Sequence, residues 1–356
     1  MICVVQAKQS SRADSTQAWR QFRYLCRLNK HNSDGMKISG ILLLDKPAGM
    51  SSNVALHKAR AMMGAKKAGH AGTLDPLATG ALPLAFGEAT KTCTYMLEAD
   101  KSYHTRAQLG VRTDTGDADG AIIETRAVPK FDRARIEALL AQFRGAILQR
   151  PPMFSALKHQ GKALYLLARQ GIEIERAERS VQIHQLELIE FGPDWLTLEI
   201  VCGTGTYVRT LVEDIGELLG CGAHVSALRR LWVVPFETMQ MHTLDELGAL
   251  SKAERRELLA ASDAGIVHLP IVMINQAQTA RYLQAQRFQV DAPPGLCRVY
   301  GENAGLLAIG VVFEDRRLGV VRMMAEVVQI PNLERRAAEK ELAAQRQQFE
   351  QTQQTE

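Results

Sequence analysis

The segment Gly40 to Gly64 reads GILLLDKPAGMSSNVALHKARAMMG and carries, in order, the signals of a buried strand, a tight turn and a helix. The apolar run Ile41 to Leu44 is too short for a helix and is stopped by a turn containing proline and glycine, which predicts a buried strand. Ser51 or Ser52 then offers a helix N-cap, and Gly64 offers a C-terminal stop. The segment therefore predicts a strand followed by a helix of about three turns.

Downstream of this unit, strand and helix patterns alternate as far as about residue 268. Apolar side chains at every second position predict strands over 103–109 and 196–202, whereas spacings of three and four residues predict helices over 136–143, after an Asp132 cap, and over 206–219. Beyond Leu269 the pattern changes to short strand candidates, which lie at 296–300, 306–313 and 318–324. The sequence thus predicts an α+β domain followed by a small β domain.

The two ends of the chain are set apart from this pattern. Residues 1–37 are basic and rich in serine, which is consistent with an organellar transit peptide, a disordered extension or a start wrongly assigned upstream of Met36. Residues 332–356 are rich in Gln, Glu, Ala and Arg, so we expect a solvated helix or disorder. The predicted domains are therefore 38–268 and 269–331.

Composition limits the classes of protein that the chain can belong to. Its 356 residues contain 43 Lys and Arg against 39 Asp and Glu, a net charge of +4, which permits a polyanionic partner but excludes a histone-like binder. The six cysteines form no C-x-x-C pair, so neither a zinc cage nor a disulfide framework is indicated. No apolar run is long enough to span a membrane. We expect a cytoplasmic protein with reduced thiols and no metal.

The segment Gly69 to Gly80, GHAGTLDPLATG, has the composition of a shaped loop that presents a carboxylate, an imidazole and two hydroxyls. Gly64 to Gly69 has the spacing of a phosphate-binding loop, but His70 and Ala71 replace its essential Lys and Ser or Thr. From the residues alone, Asp75 before Pro76 is more often a turn former than a nucleophile, so the turn interpretation is favoured.

Six separate motifs change that balance. They are GILLLDKPAGMSS from Gly40, GHAGTLDPLATG from Gly69, KSY from Lys101 with LGVRTDTGDAD from Leu109, PPMFSALK from Pro151, GTYVR from Gly205 and LRRL from Leu228. In this order they resemble the bacterial tRNA pseudouridine synthase B family over about residues 38–235. The resemblance implies a pseudouridine synthase fold, with a mixed, largely antiparallel sheet flanked by helices. It also implies that the C-terminal β domain is an RNA-binding domain of the PUA type.

The resemblance further implies an enzyme that isomerises uridine 55 in the T arm of tRNA, without a cofactor or metal. Asp75 is then the catalytic carboxylate, Arg209 is the arginine that pairs with it, and Tyr103 is the active-site tyrosine. Breaking the bond from C1′ to N1 and rejoining uracil through C5 changes no atom count and needs no redox chemistry. The target base must be flipped out of the RNA to reach Asp75.

Five further residues match substrate-binding positions of the family. His70 is expected near the space left by the flipped base, Tyr207 and Leu228 in the uracil pocket, and Lys46 and Lys91 as supporting or phosphate-contacting residues. The tRNA T-arm stem-loop is the expected partner, and a monomer that needs no protein partner and no membrane is the expected state.

Two other functions stay open at this point. A guide-dependent pseudouridylase shares these motifs, although the element 131–143 favours a stand-alone enzyme. A noncatalytic RNA-binding protein would not need Asp75, Tyr103 and Arg209 together. The sequence also leaves open whether the carboxylate attacks C1′, attacks the uracil ring, or drives elimination through a glycal.

Overall fold

A computed structural model describes residues 38–302 and 304–324, so the N-terminal extension and the polar tail lie outside the described residues. The described chain divides into two compact units, Gly40–Gly265 and a second unit that begins at Ile266. The division lies three residues before the sequence-based boundary of 268 and 269. Within the described residues no helix is long and apolar enough to cross a membrane.

The first unit interleaves strands and helices. Its strands are β1 (Gly40–Lys46), β2 (Ala68–His70), β3 (Thr79–Phe86), β4 (Lys101–Leu109), β5 (Val111–Thr113), β6 (Ile122–Thr125), β7 (Gly145–Gln149), β8 (Lys158–His159), β9 (Lys162–Ala163), β10 (Arg179–Phe191), β11 (Trp195–Cys202) and β12 (Ala223–Val233). Its α-helices are α1 (Ser52–Met63), α2 (Cys93–Met96), α3 (Arg133–Leu140), α4 (Leu164–Ala168), α5 (Val208–Leu219), α6 (Leu244–Ala249) and α7 (Lys252–Glu257). Short 3-10 segments lie at Gly87–Thr92, Ala141–Phe143 and Ala264–Ile266.

The main sheet has the strand order β1-β3-β12-β4-β11-β10-β7, with β2 paired to β3 at one side. Every neighbouring pair is antiparallel except β12 with β3, which is parallel. The predicted mixed, largely antiparallel sheet is therefore confirmed. Its parallel junction places the end of the Gly69 to Gly80 segment beside β12.

Close backbone packing at this junction depends on one glycine. Gly80 has φ +99°, and a Cβ built there would lie 2.1 Å from the carbonyl oxygen of Arg230. Any larger residue would force β3 and β12 apart, because such a contact is far inside van der Waals distance. The start of β3 is thereby fixed against β12.

Helix α1 confirms the prediction made from the first segment. Ser51 is the N-cap and accepts a hydrogen bond from the Val54 amide at 3.3 Å. Gly64 ends the helix in the left-handed conformation, with φ +67°. The strand before it, β1, is buried along Ile41 to Leu44, as its continuous apolar run predicts.

Among its described residues, the second unit is a five-stranded sheet with one α-helix. It contains β13 (Ile271–Ile274), α8 (Gln276–Leu283), β14 (Phe288–Gln289), β15 (Gly295–Gly301), β16 (Gly305–Val312) and β17 (Arg317–Met323), in the strand order β13-β15-β16-β17-β14. The three strands predicted at 296–324 are confirmed. Its core is centred on the fully buried Tyr282 of α8, whose hydroxyl donates to the Gly319 carbonyl at 3.2 Å.

Candidate active site

The segment that carries Asp75 is tied to helix α1 immediately before the aspartate. The buried Ser52 hydroxyl accepts a hydrogen bond from the Leu74 amide at 2.8 Å and donates to the Leu74 carbonyl at 3.0 Å. Both polar groups of the Leu74 backbone are therefore held by one side chain. Ser51 caps the helix, so Ser52 is free to make this contact.

A second tie lies immediately after the aspartate. The fully buried Lys46 Nζ donates to the carbonyls of Pro47 and Met50 at 2.8 Å each and of Pro76 at 3.3 Å. The Gly49 amide also donates to the Pro76 carbonyl, at 2.9 Å. Burial lowers the pKa of Lys46 to about 8, and the nearby Asp75 charge opposes this shift. Of the two roles expected for Lys46, these contacts favour the supporting one.

Arg209 brings its guanidinium to Asp75 from the first turn of α5. Its Nε lies 3.0 Å from Asp75 Oδ2 and its Nη2 lies 3.4 Å from Oδ1, so the two groups meet side by side. Nη1 also donates to the Thr115 carbonyl at 2.6 Å, and Nη2 to the Phe154 carbonyl at 2.7 Å. The planar guanidinium thus donates hydrogen bonds to groups on three separate chain segments, which an ammonium could not do.

The Asp75 side chain remains accessible while its partner is enclosed. Asp75 is 33% exposed, whereas Arg209 is only 4% exposed. Burial of the carboxyl raises the pKa of Asp75, and the charge and hydrogen bonds of Arg209 oppose this rise. The site thus presents a carboxylate that is oriented by the enclosed Arg209 and remains accessible, as attack on a bound molecule requires.

A second carboxylate, which the sequence analysis did not identify, also lies near Arg209 Nε. Asp117 Oδ2 is 3.8 Å from Arg209 Nε, and Asp117 is 7% exposed. Its Oδ1 accepts hydrogen bonds from the Thr115 hydroxyl at 2.6 Å and the Asp119 amide at 3.1 Å. Arg209 Nε therefore lies near two carboxylates, of which Asp75 is 33% exposed and Asp117 is enclosed.

Tyr103 lies on β4 and is buried. Burial raises the pKa of the Tyr103 hydroxyl, and the Asp75 charge adds to the rise, which places the two groups in one electrostatic environment. Leu228 on β12 is the strand partner of Thr105, two residues from Tyr103. The structure therefore joins Asp75 to Arg209 directly and places Tyr103 within the influence of the Asp75 charge, with Leu228 on the strand next to β4.

The remaining residues predicted for the site are His70, Tyr207 and Lys91. His70 ends β2, its Nδ1 has no partner among the described residues, and burial lowers its pKa. Tyr207 precedes α5, and its backbone is held from both sides by the buried Gln149 side chain, at 3.0 Å and 3.3 Å. Lys91 lies in the segment Gly87–Thr92 and is paired with Glu88, so its contact with a phosphate stays a prediction.

Sequence reasoning missed the residues that support the site from behind. Ser52 was proposed only as a helix cap, while Asp117, Gln149 and Arg230 were not singled out for any role. The Thr115 and Asp117 pair has the spacing of a local side-chain turn, which would have predicted the loop but not its contact with Arg209. Nothing in the sequence pattern marks a buried strand arginine as part of a site.

No cluster of three or more His, Cys, Asp and Glu side chains in the described part of the chain is arranged to hold a metal ion. The side chains described above that can act on a bound molecule are one accessible carboxylate, one buried phenol and the guanidinium that orients the carboxylate. Such a set can supply a nucleophile or a base and can transfer a proton.

Comparison with known proteins places this site in a family. Residues 60–208 match the N-terminal domain model of the TruB family pseudouridylate synthases, and residues 209–264 match the tRNA pseudouridylate synthase B C-terminal domain. The tRNA pseudouridine synthase B of Chromohalobacter salexigens is 47% identical over 301 residues, which cover 82% of this chain and 98% of the relative. That of Pseudomonas fluorescens is 49% identical over 293 residues, which cover 81% and 96%.

Solved structures agree at the level of the fold. A Cbf5-Nop10-Gar1 complex matches with a TM-score of 0.61 at 24% identity, over 80% of this chain and 85% of the other. An archaeal box H/ACA sRNP Nop10-Cbf5 complex matches with a TM-score of 0.63 at 21% identity, over 84% and 90%. At these identities the likeness concerns the fold alone.

Proposed function

The chain belongs to the TruB family of pseudouridylate synthases, and from this membership we propose that it isomerises uridine 55 in the T arm of tRNA. The relatives that match over more than four fifths of the chain are named tRNA pseudouridine synthase B, which supports tRNA as the substrate. A monomeric, cytoplasmic enzyme that acts without a protein partner or cofactor is part of the same proposal.

The observation that carries the proposal is the accessible Asp75 carboxylate, held side by side with the enclosed Arg209 guanidinium. Ser52 fixes the residue before Asp75 and Lys46 fixes the residue after it, so the carboxylate is presented on a rigid segment. Preorganisation of this kind favours catalysis, because little reorganisation is needed when charge develops on the substrate.

In the proposed reaction the flipped uridine enters the site in front of Asp75. The bond from ribose C1′ to uracil N1 breaks, the base turns, and a bond from C1′ to C5 forms, while the C5 hydrogen leaves as a proton and N1 takes up a proton. Asp75 acts as nucleophile or base, Arg209 keeps the carboxylate ionised and oriented, and Tyr103 supports the base and serves in proton transfer. Tyr207, Leu228 and His70 line the space around the base.

We assign RNA binding at a distance from the chemistry to the second unit, which was predicted as a PUA-type domain over 269–331. Remote phosphate contacts add affinity through charge neutralisation and counterion release, without altering the bond rearrangement. A noncatalytic RNA-binding protein is the alternative, and the charged site argues against it. Binding a polyanion does not require an accessible carboxylate with a buried arginine behind it.

The proposal is tested with Asp75→Ala. We expect no detectable pseudouridine from T-arm RNA, while tRNA binding stays within a fewfold of wild type, because the variant loses the reacting group and keeps the surrounding surface. Asp132→Ala serves as a control, since Asp132 caps α3 through the Arg135 amide at 2.8 Å and plays no part in the site. Turnover by Asp75→Ala within tenfold of wild type would refute the assignment.

A further inference from the structure

Arg230 is a fully buried arginine of β12 that none of the roles above explains. It is 1% exposed, and its Cα is the register partner of Tyr103 on β4 and of Gly80 on β3. The residue thus lies between the strand that carries the active-site tyrosine and the strand that begins at the end of the Asp75 segment. The Arg230 backbone is thus paired both with the strand of Tyr103 and with the end of the Asp75 segment.

The Arg230 side chain joins both ends of the Asp75 segment. Nε donates to the Ala81 carbonyl at 2.6 Å, and Nη2 donates to the Gly72 carbonyl at 3.2 Å. Gly72 has φ +85°, and a Cβ there would lie 3.4 Å from Nη1. The guanidinium therefore closes the segment 72–81 into a loop whose two ends are held at fixed separation.

The same guanidinium acts on the Tyr103 hydroxyl. Arg230 and Tyr103 are register partners on neighbouring strands, and the Arg230 charge lowers the pKa of that phenol, against the rise that burial causes. Within the described ranges no carboxylate forms an ion pair with Arg230, so the hydrogen bonds that compensate its buried positive charge go to two carbonyls. Burying a charge without a counter-charge is costly, which argues against a purely structural reason for keeping an arginine there.

We propose that Arg230 is a positioning residue for the isomerisation, which holds the ends of the Asp75 segment and the Tyr103 hydroxyl in one fixed arrangement. This inference rests on the proposed roles of Asp75 and Tyr103. Arg230 has no direct contact with the substrate in this account. It acts through the spacing of the two residues that do, and a displacement of about 1 Å at a reacting group can cost about a hundredfold in rate.

The test uses full-length Arg230→Lys, which keeps the charge but cannot reach both carbonyls and Tyr103 at once. We measure the affinity for T-arm RNA, the single-turnover rate at saturating RNA and the melting temperature. The expected result is an affinity within threefold of wild type and a saturating rate lower by about 10- to 100-fold. A rate within threefold of wild type would overturn the inference.

Two comparisons separate positioning from a general loss of stability. Arg255→Lys is a matched control, because Arg255 also donates to carbonyls of separate segments, at Leu247 and Met62, away from the site. We expect it to lower the melting temperature without changing the saturating rate. The Tyr103→Phe variant completes a double-mutant cycle, in which Arg230→Lys should cost much less than in the wild-type background. Equal costs in both backgrounds would contradict the coupling to Tyr103.

If Arg230→Lys does not fold, Gly72→Ala decides the question, because a side chain at φ +85° strains the backbone whose carbonyl accepts a hydrogen bond from Arg230 Nη2. Gly64→Ala is its control, since Gly64 also has a positive φ but nothing lies within 4 Å of the added Cβ. We expect the saturating rate to fall for Gly72→Ala alone, and equal rates for the two variants would overturn the inference. The two proposals can be told apart, because Asp75→Ala tests the proposed function and the variants at Arg230 and Gly72 test the positioning role alone.

Discussion

Replacing Arg209 with lysine tests the geometry of the site most sharply, because the substitution keeps the charge and removes the fork. The guanidinium makes two contacts with Asp75 and one each with the carbonyls of Thr115 and Phe154. An ammonium has three donors on a single atom and cannot reach three separate segments from this position. At least two of the four contacts should therefore be lost.

The expected loss of rate follows from these contacts. Hydrogen bonds to a charged group contribute about 1.5–3 kcal/mol each, so losing two would remove about 3–6 kcal/mol before relaxation. If retained charge and rearrangement recover half of this, about 1.5–3 kcal/mol remains, which corresponds to a rate lower by roughly 10- to 150-fold. The affinity for RNA should change little, since Arg209 is almost fully enclosed.

The assay is single-turnover release of tritium from T-arm RNA labelled at uridine C5, at saturating protein and with folding checked by circular dichroism. Arg106→Lys is the control, because Arg106 lies on the same sheet with its guanidinium 4.0 Å from the centre of the Trp195 ring, away from Asp75. We expect the control to stay within twofold of wild type. A folded Arg209→Lys protein within threefold of the wild-type rate would refute the reasoning.

Three further predictions concern the supports of the site. Asp117→Asn should lower the saturating rate roughly tenfold with little change in RNA affinity, because Arg209 loses a charge partner while the Oδ1 acceptor remains. Single-turnover kinetics measure this rate, and a wild-type rate for the variant would contradict the prediction. Ser52→Ala should lower the free energy of unfolding by about 1–3 kcal/mol, measured by urea denaturation, because both buried polar groups of Leu74 lose their partner; an unchanged midpoint would contradict it. Burial raises the pKa of Glu213 from 4.5 to about 7, so the folded state binds the proton more tightly and loses stability as pH rises from about 4.5 through 7. The variant Glu213→Gln should therefore be more stable than wild type at pH 8, by at most about 3 kcal/mol, and equal to it near pH 4. Equal stabilities at pH 8 would contradict the burial of a charge at this position.

Local signals in the sequence were sufficient for some elements but not for others, such as β10, β12 and α8, nor for the arrangement of any of them. The apolar run of β1, the Ser51 cap and the Gly64 stop each act within a few residues, so their structural consequences could be read directly. The sheet order and the parallel junction of β12 with β3 depend on contacts between residues that are about 150 apart in the chain. No periodicity encodes such contacts.

For the active site too, some features could be predicted from the sequence and others could not. The meeting of Asp75 with Arg209 was predicted from the family resemblance and not from spacing, since 134 residues separate the two in the chain. The residues that hold them escaped prediction, because their types are uninformative alone. A serine after a helix cap, an aspartate in a turn and an arginine in a strand acquire a role only through the partners that folding brings to them.

The most direct test of the central claim is tritium release from a T-arm stem-loop labelled at C5 of the target uridine alone. Only replacement of the C5 hydrogen by the glycosidic bond liberates the label, so release reports the isomerisation itself. The account predicts stoichiometric release by the wild-type protein and none by Asp75→Ala at equal RNA occupancy. Tight binding of this RNA by the wild-type protein without release would contradict it.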